Sequence, residues 1–170
     1  MTDTPTYLRP PHEGVSYLVT QQIPTVVRLA QDVAPDGMPA IFDETFTALV
    51  PALAEAGVQI AGPAISLHHR MPGATMTFEA GFPVAAPLNG QLEAGGITFL
   101  PSSMPATQVA TVSHLGGYDG LGDAWGRLLQ QVAADGHQPA LPFWEVYVTE
   151  PSPDMDPATL RTDLVLPYES

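Results

Sequence analysis

An internal repeat constrains the fold of this chain more than any other feature. When residues 56–63 are placed beside residues 135–142, glycine, glutamine, alanine and proline recur in the same order, 79 residues apart. The same offset aligns apolar residues at helical spacing in both copies, namely Phe46, Leu49 and Leu53 with Trp125, Leu128 and Val132. Each copy therefore predicts a helix whose apolar face belongs to the core. Each helix is expected to end in a left-handed glycine cap, at Gly57 and at Gly136.

The repeat predicts an α+β domain over 15–168, made of two strand-helix-strand-strand halves at about 15–84 and 104–168. The expected elements are strands over roughly 15–33, 61–71, 75–84, 104–114, 141–149 and 161–168, with helices over 39–56 and 119–135. Residues 85–103 form the expected connector, and residues 1–14 a disordered N-terminal segment. If each helix covers one face of an antiparallel sheet, the other faces are free to meet around a pseudo-twofold cleft that holds a ligand.

The charge of the chain excludes several classes of partner. The formal net charge is -13, and the only basic residues besides histidine are five scattered arginines. Phosphate backbones require clustered positive charge, so direct nucleic-acid binding is excluded. The same acidity disfavours anionic membrane surfaces and favours cationic ligands. No apolar stretch is long enough to span a bilayer and no signal peptide is recognisable, so a cytoplasmic location is expected.

Residues 143–148 predict a buried strand that sets one carboxylate among aromatic rings. Alternate side chains of a strand share a face, so Phe143, Glu145 and Tyr147 lie together, and Trp144 lies on the other face. A buried acid is costly without a positive or hydrogen-bonding partner, and aromatic faces attract flat or cationic guests. The strand therefore indicates a pocket for an aromatic, cationic small molecule. The alternative is a glutamate at a sheet edge, satisfied by an arginine or by water.

The repeat also selects residues of the first half for the same cleft. It aligns Ala64, Ser66 and His68 with Phe143, Glu145 and Tyr147, listed here in register. Ser66 and His68 are therefore candidates for the pocket, with a solvated strand histidine as the alternative for His68. Tyr118, at the start of the second helix, is expected to overlook the cleft. Trp144 is expected in the core.

Other catalytic and metal-binding patterns are absent from the sequence. His68 and His69 are adjacent in a strand and point to opposite faces, while His12, His114 and His137 lack ligand spacing. There is no Gly-x-Ser-x-Gly motif, and the absence of cysteine excludes disulfides, thiolate zinc sites and cysteine nucleophiles. We therefore expect neither a metal site nor a cofactor.

Four motifs together resemble those of a known family. They are EAGFPV at 79–84, HLGGYDGL at 114–121, FWEVY at 143–147 and LRTDLVLP at 160–167. With these motifs the chain resembles the GyrI-like small-molecule-binding family, which is related to the effector-binding domains of multidrug-responsive and AraC-type transcription regulators. The resemblance implies a duplicated fold with the ligand between the halves. It also implies that Glu145 is the buried acid that meets cationic aromatic drugs, with Tyr147 and Tyr118 near it.

The resemblance leaves three functions open. Many relatives carry an N-terminal helix-turn-helix domain, whereas this sequence has fourteen residues before its first expected strand, which favours a stand-alone ligand-binding domain. In that interpretation Glu145 supplies the charge and Phe143, Tyr147, Tyr118, Phe78 and Phe82 supply apolar walls. Some stand-alone relatives are hydrolases that open cyclopropane rings with a glutamate and a tyrosine, here Glu145 with Tyr147 or Tyr118. The third interpretation is an inhibitory module that binds a separate regulator or target protein; the oligomeric state stays open.

Overall fold

The computed structural model describes residues 10–11, 14–71, 73–149 and 156–169. It has the α+β architecture that the sequence predicts, and its strand pairings are antiparallel. The elements, in chain order, are β1 (Ser16–Val19), β2 (Ile23–Val33), α1 (Met38–Glu55), β3 (Ala64–His68), β4 (Met76–Pro83), β5 (Leu92–Ala94), β6 (Ile97–Met104), β7 (Gln108–Leu115), α2 (Leu121–Ala134), β8 (Gln138–Pro139), β9 (Phe143–Tyr147) and β10 (Arg161–Glu169).

The chain divides into two compact units. The first unit covers residues 22–105 and orders its strands β3-β4-β2-β6-β5. The second unit covers the chain from residue 106 onward together with the described residues up to 21, and orders its strands β1-β7-β10-β9, with β8 paired to β10. One helix packs on the sheet of each unit, α1 in the first and α2 in the second.

Both helices end in the way that the repeat predicts. Gly57 and Gly136 adopt φ angles of 72° and 85°, which is the left-handed region that glycine enters without a steric penalty. After each glycine the next backbone N–H donates to a carbonyl of the last helical turn, from Val58 to Leu53 at 2.9 Å and from His137 to Val132 at 3.1 Å. The predicted glycine caps are confirmed.

Each unit has its own hydrophobic core between helix and sheet. In the first, Leu49 and Leu53 of α1 pack against Val26 and Phe99. In the second, the buried core residues are Ala110, Ala124, Leu128, Val132, Phe143, Leu164 and Leu166. The helical positions that the sequence assigned to the core are buried, except Phe46 and Trp125, which are half-buried.

The structure differs from the sequence-based expectation in two segments. The single strand expected over 15–33 is two strands, and the first of them, β1, pairs with β7 of the second unit. The expected connector contains β5 and most of β6, which form a hairpin with a Gly95–Gly96 turn at positive φ. The glycines and prolines of residues 85–103 favoured a connector and concealed this hairpin. Most of the expected disordered segment, residues 1–14, lies outside the described residues.

Candidate functional site

Glu145 lies in the middle of β9 in the second unit, and its residue is only 8% exposed. Strand alternation places Phe143 and Tyr147 on the same face, as the sequence predicts. Trp144 lies on the opposite face and is 3% exposed, which agrees with its expected place in the core. The structure therefore has a carboxylate buried between two aromatic residues of its own strand.

Two neutral groups donate hydrogen bonds to this carboxylate. The indole Nε1–H of Trp125 donates to Oε2 of Glu145 at 2.6 Å, and the hydroxyl of Tyr147 donates to Oε1 at 2.7 Å. Hydrogen bonds to an ionised acceptor are short and strong, as these two are. Both of these donors are uncharged, so they stabilise the carboxylate through hydrogen bonds.

Aromatic rings surround the carboxylate on the same side of the sheet. Trp125 packs edge-on against Phe143 with ring centroids 4.7 Å apart, and Tyr118 packs edge-on against Tyr147 at 6.0 Å. Tyr118 precedes α2 in a short 3-10 helix and is 42% exposed. The structure thus brings together Phe143, Glu145, Tyr147 and Tyr118, as the sequence predicts, and leaves an exposed tyrosine at the margin of the group.

The environment of Tyr118 keeps its phenol protonated. Burial of the hydroxyl, and next the negative charge of Glu145, raise the pKa of Tyr118 above its usual value of 10.0. A phenol with a raised pKa stays neutral around pH 7 and acts as a hydrogen-bond donor rather than as a base.

The Glu145 face of the second unit is the face that α2 covers. Trp125 belongs to α2 and contacts both Glu145 and Phe143, so these side chains lie beneath the helix. The repeat instead predicted that the pocket residues lie on the face away from the helix. The expectation differs from the structure because the repeat shows which residues share a face but not which face the helix covers.

Trp125 is a residue of the candidate site that the sequence did not predict. It was assigned to the core because it aligns with Phe46 on the apolar face of the helix. A signal was nevertheless present, since a tryptophan in the interior requires an acceptor for its indole N–H. Glu145 is the acceptor that the structure supplies.

Ser66 and His68 form a second polar pair, in the first unit. Both are buried in β3, and Oγ of Ser66 lies 3.0 Å from Nε2 of His68. The ring of His68 packs on Phe78 at a centroid distance of 5.3 Å. Burial, and next the positive charge of His69, lower the pKa of His68 to about 4, so this imidazole is neutral at pH 7. The pair offers neutral hydrogen-bonding groups rather than a charge.

Phe78 and Phe82, expected as pocket walls, lie in the core of the first unit. Phe78 has no exposed surface and packs against Phe42 of α1 at 5.4 Å. Phe82 packs against Phe46 of the same helix at 5.3 Å. Both rings therefore pack against α1.

In the part of the chain that the structure describes, no group of three or more histidine and acidic residues is arranged to hold a metal ion. Among the same residues, neither helix is both long and apolar enough to cross a bilayer.

The chain was compared with known families, curated proteins and solved structures. No family model and no curated protein matches it. Its structure is similar to the C-terminal domain of EcmrR, with a TM-score of 0.74 and 19% identity, covering 92% of this chain and 98% of that domain. In the EcmrR–DNA complex, at a TM-score of 0.73 and 18% identity, the similarity covers 92% of this chain but only 57% of that longer chain.

Two further solved structures share the architecture. SAV2435 bound to tetraphenylphosphonium is 7% identical with a TM-score of 0.64, and the match covers 92% of this chain and 94% of that chain. A hydrolase from Listeria innocua is 10% identical with a TM-score of 0.61, and the match covers 95% of each chain. At these identities the comparisons establish architecture alone. The chain has the fold of the GyrI-like effector-binding domains.

Proposed function

We propose that this chain binds a small aromatic cation at Glu145. The observation that carries the proposal is a carboxylate that is buried among aromatic rings and accepts hydrogen bonds from Trp125 and Tyr147. In such a weakly polar environment the attraction between a carboxylate and a cation is stronger than in water.

The rings around Glu145 support an aromatic ligand. Phe143, Tyr147 and Tyr118 line one side of the sheet with Trp125, and ring faces attract both flat and cationic groups. Tyr118 is the most exposed of these aromatic residues, and we propose that a ligand contacts it first on the way to Glu145.

The similar structures support the same ligand class. SAV2435 is a protein of the same fold bound to tetraphenylphosphonium, an aromatic cation without hydrogen-bonding groups. EcmrR carries this fold as its C-terminal domain and binds DNA as a longer chain. By analogy, we propose that ligand binding here serves regulation through a separate protein.

Calorimetric titration with tetraphenylphosphonium tests the proposal. We expect Glu145→Gln to keep the fold and to weaken binding about tenfold to a hundredfold, because a hydrogen bond or contact to a charged group is worth about 1.5–3 kcal/mol. Triphenylphosphine oxide, which is aromatic but neutral, should lose little affinity with the same variant.

The matched control is Glu93→Gln, at an exposed position of β5. It removes the same unit charge from an acidic protein, so it reports the general attraction of the chain for cations. Equal losses for Glu145→Gln and Glu93→Gln, or equal losses for the charged and the neutral probe, would show that Glu145 is not the anchor.

Hydrolysis of cyclopropane-bearing electrophiles is a second candidate function. It is favoured by the hydroxyl of Tyr147 at 2.7 Å from Glu145, since an acid and a base in contact suit proton transfer. Glu145 would take a proton from water while the water oxygen bonds to a ring carbon. The ring carbon–carbon bond would break, its electron pair would move into the conjugated system, and a tyrosine would protonate it.

Mass spectrometry distinguishes the two functions. The electrophile is incubated with the wild type, with Glu145→Gln and with Tyr147→Phe, and the products are weighed. Water addition by the wild type alone would establish hydrolysis. Equal background conversion in all three samples would leave binding as the function for that ligand class.

A further inference from the structure

Two buried threonine hydroxyls have no hydrogen-bond partner among the described residues. They are Oγ1 of Thr162 and Oγ1 of Thr111, and both residues are 0% exposed. Buried polar groups are almost always hydrogen-bonded, because an unpartnered one loses its bonds to water without replacement. A valine has nearly the same shape and avoids this cost. Each hydroxyl therefore requires an explanation.

Thr162 lies beside the Glu145 group. On β10 it is the register partner of Tyr147, and Leu164, two residues later, is the register partner of Glu145. Residues two apart on a strand share a face, and Leu164 belongs to the core beneath α2. The side chain of Thr162 therefore points to the face that carries Glu145 and Tyr147.

We propose that Thr162 is a specificity-determining residue of this site, where its hydroxyl bonds a hydroxyl group of the bound aromatic cation. The proposal rests on the proposed binding function and adds the chemical class of the ligand. Glu145 and the rings select the charge and the shape of the ligand. Thr162 increases the affinity for a ligand that has a hydrogen-bond donor or acceptor near its hydroxyl. A threonine hydroxyl suits this task because it can both donate and accept.

Thr111 provides a matched control within the same unit. It is equally buried and equally unpartnered, but it lies on β7, where its register partner is Val165. Val165 is adjacent to Leu164, so it faces the opposite side of the sheet. A Thr111→Val substitution therefore removes the same kind of hydroxyl on the face away from Glu145.

The experiment compares tetraphenylphosphonium with triphenylphosphonium ions that carry a 2-, 3- or 4-hydroxyphenyl group. Calorimetric titrations use the wild type and the variants Thr162→Val, Thr162→Ser and Thr111→Val. We expect at least one hydroxylated isomer to bind the wild type about threefold to tenfold more tightly than the parent ion, as a neutral hydrogen bond allows. Thr162→Val should abolish this preference, whereas Thr162→Ser and Thr111→Val should keep it.

Thermal melting gives a second readout that needs no ligand. The melting temperature of Thr162→Val should equal or exceed that of the wild type, as should that of Thr111→Val. A clear decrease confined to Thr162→Val would show that the hydroxyl is already bonded in the free protein and would overturn the proposal.

The binding data separate the two proposals. A preference that survives Thr162→Val, or no preference for any isomer in the wild type, overturns the role of Thr162 while Glu145-dependent binding of the parent ion stands. Absence of Glu145-dependent binding for all four ions overturns the binding function itself, and the role of Thr162 with it.

Discussion

Strands β3 and β9 occupy the same place in the two copies of the repeat but carry different chemistry. On β9 the central residue is Glu145, and the helix above it supplies the indole donor of Trp125. On β3 the central residue is Ser66, which bonds the neutral imidazole of His68. The helix of that copy, α1, presents Phe46, which packs on Phe82 of β4 and has no polar group. Equivalent strands of the two copies thus carry a buried carboxylate in one copy and a serine–histidine pair in the other.

The difference teaches that the repeat preserves strand positions while the polar contacts of the two copies differ. In the second copy α2 donates a hydrogen bond to the carboxylate, and in the first copy Ser66 and His68 lie within hydrogen-bond distance of each other. Substitutions that exchange or remove these features show how independent the two copies are.

The largest loss of stability is expected at Gly81, where strand β4 approaches the backbone of β2 closely. The second copy has a valine at the aligned position. A Cβ atom added to Gly81 would lie 1.9 Å from the carbonyl oxygen of Val26, a contact that only a backbone shift can relieve. The position that aligns with it in the second copy is Val165. Gly81→Ala should lower the free energy of unfolding by at least about 3 kcal/mol, since overpacking against rigid backbone is costly.

The paired variant Val165→Ala removes methyl groups instead and should cost about 2 kcal/mol through the cavity it leaves. Urea denaturation measures both values. A Gly81→Ala variant as stable as the wild type would contradict the close approach of β4 and β2.

The second effect is the pH dependence that His68 gives to the first copy. Its pKa is about 4 in the folded chain and about 6.5 when unfolded, so between these values the unfolded chain binds more protons. The stabilisation is complete above pH 6.5 and is lost as the pH falls toward 4. The full change is about 3 kcal/mol.

Unfolding in urea at a series of pH values from 4 to 7 measures this contribution. His68→Asn should reduce the dependence of the unfolding free energy on pH in this range by an amount that corresponds to at most one bound proton. Identical profiles for wild type and variant would contradict the buried, neutral state of His68.

The third effect isolates the donor that only α2 provides. Trp125→Phe keeps a ring against Phe143 but removes the hydrogen bond to Glu145, which should cost about 2 kcal/mol of stability. In the Glu145→Gln background the acceptor is no longer charged, so the cost should fall. A double-mutant cycle of unfolding free energies measures the coupling, and additive effects would argue against a strong bond.

The smallest effects concern the feature that the copies share. Gly57→Val and Gly136→Val each place a β-branched residue at positive φ and should each cost about 1–2 kcal/mol. Thermal melts of both variants test the equivalence of the caps. If only one of the two lowers the melting temperature, the caps are not energetically equivalent.

The sequence predicted the features of the fold that depend on local periodicity. Both helices, the glycine caps and the alternation of β9 follow from spacing alone, and these are confirmed. The β5–β6 hairpin was missed because its glycine-rich turn and short strands resemble a loop in composition. Turn geometry becomes evident only once the strands that it joins are paired.

The candidate site was predicted less completely, because it depends on contacts between distant elements. Glu145, Phe143 and Tyr147 share one strand and were grouped correctly by period. Trp125 lies 20 residues before Glu145 in the sequence. Its position in the apolar pattern of the helix predicted a core residue and gave no sign of its hydrogen bond to Glu145. The partnerless hydroxyl of Thr162 has no sequence signature, since only the packed structure shows which buried groups lack partners.

The hydrogen bond between Trp125 and Glu145 gives the chain an optical reporter. The sequence contains two tryptophans, and Trp144 is buried on the opposite face of β9. The emission of an indole responds to the electric field at its ring, and Trp125 is hydrogen-bonded to the carboxylate of Glu145. If a cation binds at Glu145 as we propose, it changes that field, and the fluorescence of the unlabelled protein then follows occupancy of the site.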